Sequence, residues 1–387
     1  MTRTYRSRSG TASFSGKKQR LAFGAPYGNP TYPSRSKARY CYDYHGRPVT
    51  PSPLTCAQPK AVCRINGIWE AGYAWSTVGY GYKYDEVPLE YWTPPTLDTS
   101  VIPAPDGWYL NVVARSNPSR PILCPPTLIQ DFIDVPKMLR NLGNLMKRPQ
   151  NILTPKGMAN GYLETLFGWM PFVEDIRQLL DLQSAILKRS SELQRLYSAE
   201  GLRRRLSMGD THTVESVNYT VDSYGTSKWV VPFSVQVNKR AWATIRWKPT
   251  TPPPYHPNDR KWNDLSRKLV LGMTSEGLAK GLWDVIPWTW LVGWFTNVGQ
   301  YLLAYSNTVP ASHTEACFMS EVEVIARPGP PIPTNCHSLS AVVSGQSVYT
   351  YKTRIVSGAL TPGFHVPFID TSRLSILSAL TIQRVMR

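Results

Sequence analysis

The chain has 387 residues, 42% of them hydrophobic, enough for a sizeable core in two domains or one large irregular one. Forty-three Lys and Arg against 26 Asp and Glu leave a net charge of +17, which selects polyanionic partners and says nothing about fold. Six scattered cysteines without a C-x-x-C pair argue against a disulfide framework or a local zinc site, and 34 prolines restrict helix length.

Residues 1–39 read as a basic flexible arm. It carries Arg3, Arg6, Arg8, Lys17, Lys18, Arg20, Arg35, Lys37 and Arg39, no acid, and interleaved Tyr5, Phe14, Phe23, Tyr27 and Tyr32. Cations that pair with phosphates and rings that stack on bases suit single-stranded RNA. No apolar run of a secretory signal is expected here, and Pro26, Pro30 and Pro33 oppose the helix of a mitochondrial transit peptide.

From about residue 40 to 125, short aromatic and β-branched runs alternate with Pro and Gly. Ile68-Trp69, Tyr73-Ala74-Trp75 and Trp108 to Val113 read as strands. Thr127 caps a helix running towards Met146, with Pro136 as its kink. A second helical region covers about 159–202. Leu179, Leu180, Leu182, Ile186, Leu187, Leu193 and Tyr197 share its apolar side, and Gly168 and Pro171 bend its first part.

Residues 211–247 switch to a period of two, reading as a β-meander with turns at Tyr224-Gly225-Thr226 and Asn238-Lys239. A Pro-rich link at 250–257 leads into helical sequence from 258 to 304. Strands follow at 318–326 and 339–356, with a turn at Ser344-Gly345-Gln346, and a last helix runs from about 370 to 386. The expectation is an α+β protein whose parts are each built from discontinuous segments: an α-helical bundle region from 126–205, 258–305 and 367–387, and a β-sheet region from 40–125, 206–257 and 306–366.

Chemistry has no visible address. H-E-x-x-H, G-x-x-x-x-G-K, G-x-S-x-G and G-x-G-x-x-G are all missing, so we expect no enzyme, no catalytic residue, no cofactor and no metal. Basic clusters are better marked. Arg203, Arg204 and Arg205 are expected to end the second helical region, Lys147, Arg148 and Lys156 to lie in the connection before it, and Lys188-Arg189 to add a pair. Together they are candidate RNA-phosphate contacts. Val285 to Thr314 holds no Asp, Glu, Lys or Arg, but Pro287, Gly293, Asn297, Gly299 and Gln300 interrupt it, favouring buried helix over a membrane span.

Three segments carry more specific information: 161–176, with Phe167, Gly168, Trp169, Pro171, Asp175 and Ile176; 282–299, with Trp283, Asp284, Ile286, Pro287, Trp288, Thr289, Trp290, Trp294 and Gly299; and Pro367-Phe368 with the helix that follows. They resemble the maturation (A) proteins of the single-stranded RNA bacteriophages, the leviviruses. One departure is Gly293, where the family places an Asp before the Trp. The Trp, Phe, Gly and Pro of Phe167, Gly168, Trp169, Pro171, Asp175, Trp283, Pro287, Trp290 and Trp294 are the vocabulary of packing, so they read as a scaffold.

The resemblance implies an elongated protein, with a helical region facing RNA and capsid interior and a β region projecting outward. It implies one monomeric copy per virion in place of a coat-protein dimer, made in the host bacterial cytoplasm, without a membrane anchor. Its partners would be the viral genomic single-stranded RNA, coat protein dimers of the capsid and the pilin of a host pilus, and it would enter the host with the RNA. Receptor binding is then expected in turns of the β region, with Tyr80, Tyr82, Tyr84, Tyr224 and Lys228 as candidates. The competing readings are an organellar basic RNA-binding protein and a membrane-inserting protein using 285–314.

Overall fold

A computed structural model describes residues 4–45, 52–71, 80–89, 98–122, 155–166, 181–255, 259–274, 298–313, 316–357 and 371–385, with 140, 170, 173–174 and 177 in addition. The chain divides into two compact units, each from three stretches: Met1–Pro105, Arg205–Thr244 and Glu315–Ser357 in the first, and Asp106–Arg204, Ile245–Thr314 and Gly358–Arg387 in the second. The division is strand-rich on one side and holds the described helices on the other. The helix from Thr127, apart from residue 140, lies outside the described residues, as do Tyr73 to Trp75 and all nine scaffold residues, Phe167 to Trp294.

In the first unit two antiparallel sheets form. One runs β1 (Thr4–Ser15), β4 (Ser34–His45), β5 (Leu54–Ala61), β15 (Ser347–Ser357), β11 (Ala316–Pro328), β9 (Ser227–Pro249), with β8 (Leu202–Tyr224) and β12 (Ile332–Thr334) also on β9. The other runs β13 (Cys336–Leu339), β6 (Cys63–Ala71), β7 (Tyr80–Leu89), β2 (Lys17–Ala22), β3 (Ala25–Pro26), with β14 (Val342–Ser344) on β6.

Alternation in β9 builds the core. Trp229, Val231, Phe233, Val235 and Val237 are fully buried among Ile65 and Trp69 of β6, Tyr84 and Val87 of β7, and Val322 and Val324 of β11. The turn before β9 falls where expected: Gly225 takes φ 58, which a residue with a Cβ rarely adopts. Asn238-Lys239 is not a turn. β9 runs straight through it, because both residues pair with β11 (Asn238 with Glu323, Lys239 with Val322) and Lys239 Nζ donates to Asp98 Oδ2 at 2.6 Å.

The largest correction concerns the arm. Residues 4–45 are mostly strands, with Thr4–Ser15 paired along its whole length to Ser34–His45 and Lys17–Ala22 paired to β7. The sequence lacks apolar alternation there, so its strand character comes from non-local pairing.

In the second unit the described helices are α1 (Trp108–Ser116), α2 (Pro155–Glu164), α3 (Leu182–Leu196), α4 (Lys261–Val270), α5 (Val298–Ala304) and α6 (Thr371–Val385), and the end of β9 pairs with β10 (Ala311–His313). They pack in pairs, α1 with α5, α2 with α6 and α3 with α4. Ala159 and Leu163 meet Ala379, and Tyr162 and Ser375 share a 2.6 Å hydroxyl contact. Asn117 Nδ2 donates to the carbonyls of Leu303 (3.0 Å), Ala304 (3.2 Å) and Ser306 (2.8 Å), satisfying the orphan acceptors at the end of α5.

Trp108 to Val113 is helix, not strand. Seven of the nine residues of α1 are buried, leaving Asn111 and Arg115, four apart, on the open side. A short run that is apolar almost all round carries no period by which strand and buried helix differ. No described helix is long and apolar enough to cross a membrane, and within 285–314 the described part is the seven-residue α5, the turn after it and β10.

Candidate nucleic-acid interface

In the second unit α3 and α4 bury one side against each other and leave cations on the other. Leu193 and Leu196 are fully buried, as are Trp262, Ser266 and Leu269, and the Tyr197 and Trp262 rings lie 5.5 Å apart. Lys188 and Arg195 stand seven residues apart, as do Arg260 and Arg267, and Lys261 and Lys268. Two helical turns bring each pair onto one stripe, about 10.5 Å apart along the axis. All six are exposed, and within 182–196 and 260–270 the only exposed acid is Asp264. Such a surface attracts a phosphate backbone at many points without reading its sequence.

The cations picked from sequence meet different fates. Arg203, Arg204 and Arg205 do not end a helix. α3 stops at Tyr197, Gly201 turns the chain at φ 72, and the three arginines open β8. A side chain at Gly201 would meet the Trp247 carbonyl at 2.4 Å, so the turn needs glycine.

Strand alternation then separates the triplet. Arg204 donates to Glu192 Oε2 at 2.8 Å, Arg205 lies over the Trp242 ring at 4.4 Å, and Arg203 is exposed without an ion pair among the described residues. Arg189 is buried. Its guanidinium donates to the carbonyls of Pro118 (2.8 Å) and Arg120 (2.9 Å), and burial brings its pKa down to about 10. It is a structural tie, not a phosphate contact. Lys188 is exposed, Lys156 falls in the first turn of α2, and Lys147 and Arg148 lie outside the described residues.

A second basic surface belongs to the first unit. In the β1–β4 ladder Arg6 faces Asp43, Arg8 faces Cys41, Gly10 faces Arg39, Ala12 faces Lys37 and Phe14 faces Arg35. Directly opposed residues share a face, so all five cations lie on one side of the ribbon. Tyr5, Tyr40, Tyr42 and Tyr44 lie on the other with the serines. Asp43 is bound by Arg6, whose Nε donates to it at 2.8 Å. Arg8, Arg35 and Arg39 are exposed and make no ion pair among the described residues. Alternate strand residues repeat every ~6.8 Å, a spacing suited to following an extended polyanion.

The aromatic candidates divide as well. Tyr80, Tyr82 and Tyr84 form no turn but begin β7, paired to β2 and β6. Tyr84 is buried, and its hydroxyl donates to Asp222 Oδ2 at 2.8 Å; burial and that carboxylate push the phenol pKa far up. Lys18 pairs with Asp222 and sits 3.7 Å from the Tyr82 ring centre. Tyr224 is at the expected turn, half exposed, 4.7 Å from Tyr80, and Lys228 is exposed. Only the Tyr80–Tyr224 end and Lys228 therefore offer surface.

Sequence reading did not single out Arg195, Arg260, Lys261, Arg267 and Lys268. Their signal was the seven-residue spacing of cations on amphipathic stretches. Among the described residues no group of His, Cys, Asp and Glu could hold a metal ion. No protein-family model and no curated protein matches the chain.

Proposed function

We propose that the chain is an RNA-binding maturation and attachment protein of a single-stranded RNA bacteriophage. One copy would bind the genomic RNA, replace a coat-protein dimer in the capsid, adsorb to a bacterial pilus and enter the host with the RNA. The observation that carries the RNA-binding part is the outer side of the α3–α4 pair, with six exposed cations against one acid. The excess of +17 and the cationic ribbon of β1 and β4 support the same chemistry.

The phage assignment rests on the resemblance of segments 161–176 and 282–299 and of the C-terminal helix. The division into a helix-bearing and a strand-rich unit, each from discontinuous stretches, is in keeping with a protein that uses its helices for RNA and its β region for the receptor. In that reading Tyr224, Tyr80 and Lys228 are the surface candidates for pilin, because Tyr224 and Lys228 are exposed on the β unit and the half-buried Tyr80 packs 4.7 Å from Tyr224.

Purified RNA-filled particles test the proposal. Quantitative mass spectrometry should find one copy of the chain per shell, and particles lacking it should package RNA but fail to adsorb to piliated cells. Particles of full infectivity without the chain would reject the assignment.

A further inference from the structure

The ribbon of β1 and β4 joins the rest of its sheet through a short ladder. β4 and β5 pair at three positions, Tyr40 with Ala57, Cys41 with Cys56 and Tyr42 with Thr55. The middle pair is two free thiols, both half-buried and directly opposed across the ladder. Directly opposed residues in an antiparallel pair have Cα atoms about 4.5 or 5.5 Å apart, depending on the hydrogen-bonding phase. Both values fall in the range of about 4.4–6.8 Å between Cα atoms that a disulfide accepts, so the two thiols are within bridging reach of each other.

The other described cysteines have different settings. Cys63 and Cys317 are buried, and Cys336 takes a 3.0 Å hydrogen bond from Trp69 Nε1. A shallow cleft of about 290 Å³ opens beside the thiols, lined by Arg8, Arg39, Tyr40 and Gln58 among others. Its two guanidinium groups favour an anionic thiol reagent over a neutral or cationic one.

We propose that Cys41 and Cys56 are a modification site, closing to a cross-strand disulfide when a small-molecule disulfide such as oxidised glutathione supplies the oxidant. One protein thiolate attacks a glutathione sulfur and releases one reduced glutathione, leaving a mixed disulfide. The second protein thiolate attacks the protein-bound sulfur and releases the other glutathione. Two protein thiols give up two electrons and two protons, and one glutathione disulfide becomes two thiols. The bond pins the ribbon to β5 at the centre of its only ladder with that strand. Burial raises the Cys56 thiol above its ordinary value, so its thiolate, and exchange through it, gains only as pH rises past the ordinary thiol range of about 8 to 9.

The inference goes beyond the RNA-binding reading, and its test contains no RNA, so either can fail alone. The full-length protein is treated with oxidised glutathione, alkylated under denaturing conditions and cut with trypsin. Both cysteines stay on one peptide, residues 40–60, because Pro48 protects the bond after Arg47. The expected product is this peptide lighter by two hydrogens and carrying no alkyl group, with β4 amides exchanging more slowly than in the reduced protein. Cys41→Ser and Cys56→Ser should each hold a persistent glutathione adduct on the remaining thiol. A peptide alkylated at both cysteines, adducts at both without closure, or linkage to another cysteine would each overturn the proposal.

Discussion

Removing four of the six cations on the α3–α4 pair, Lys188, Arg195, Arg267 and Lys268, should weaken genomic RNA binding by a calculable amount. Each phosphate contact to single-stranded nucleic acid contributes about 0.7 to the slope of log K against log salt, so the quadruple Ala variant should lose up to about 3 from that slope. At about 0.15 M salt the same relation gives roughly fourfold in affinity per contact, hence about two-hundredfold for all four.

The side chains are exposed, so each change should alter stability by about 0.5 kcal/mol or less. Arg267 and Lys268 sit in the last turn of α4, where losing their favourable dipole interaction adds about 0.3–1 kcal/mol each. The assay is filter binding from 50 to 400 mM salt, on the order of the range where such slopes are linear, with thermal melting as the control. A variant that melts like the parent and keeps both slope and affinity would refute this placement of the RNA contacts.

Three further outcomes follow. Arg8, Arg35 and Arg39 replaced together by Ser should lower the same salt slope by up to about 2 if the ribbon also touches RNA, with adsorption to piliated cells measured in parallel; an unchanged slope would remove the ribbon from the RNA interface. Arg189→Met should cost about 2–4 kcal/mol in denaturant unfolding, since a buried and a part-buried carbonyl lose their donor, while the salt slope stays unchanged; a stable variant with a flatter slope would make Arg189 a phosphate contact after all. Tyr84 has a raised phenol pKa in the fold, so its stabilising share is complete below the unfolded value of about 10 and is lost as pH rises above it. Tyr84→Phe should therefore soften the alkaline loss of stability in a pH series of melts, and an identical alkaline limb would contradict the buried phenol.

The parts of the fold legible in sequence are those whose burial is one-sided. Trp229, Val231, Phe233, Val235 and Val237 alternate because one face of β9 is core, and Gly225 marks the turn before them by the φ it alone tolerates. Trp108 to Val113 was illegible because burial on nearly all sides erases the period. The arm was misread because serines, glycines and arginines carry no apolar pattern; the partner of Arg8 lies 33 residues away at Cys41, a distance no local rule reports.

Arg203 to Arg205 looked like a helix end because Lys and Arg often close helices, yet Gly201 had already stopped α3 and turned the chain. Basicity itself was legible, but the division of cations into structural ties (Arg189, Arg204) and open ones (Lys188, Arg203) was not. It depends on which carbonyls and carboxylates the fold brings near.

The central claim is that this chain holds RNA with its helix-bearing unit, and ultraviolet crosslinking inside intact particles tests it most directly. After nuclease and protease digestion, nucleotide-bearing peptides should come from residues 182–205 and 259–274, around Lys188, Arg195, Arg203 and Arg260 to Lys268. Recovery of the chain in good yield without a nucleotide adduct on either stretch would contradict the account.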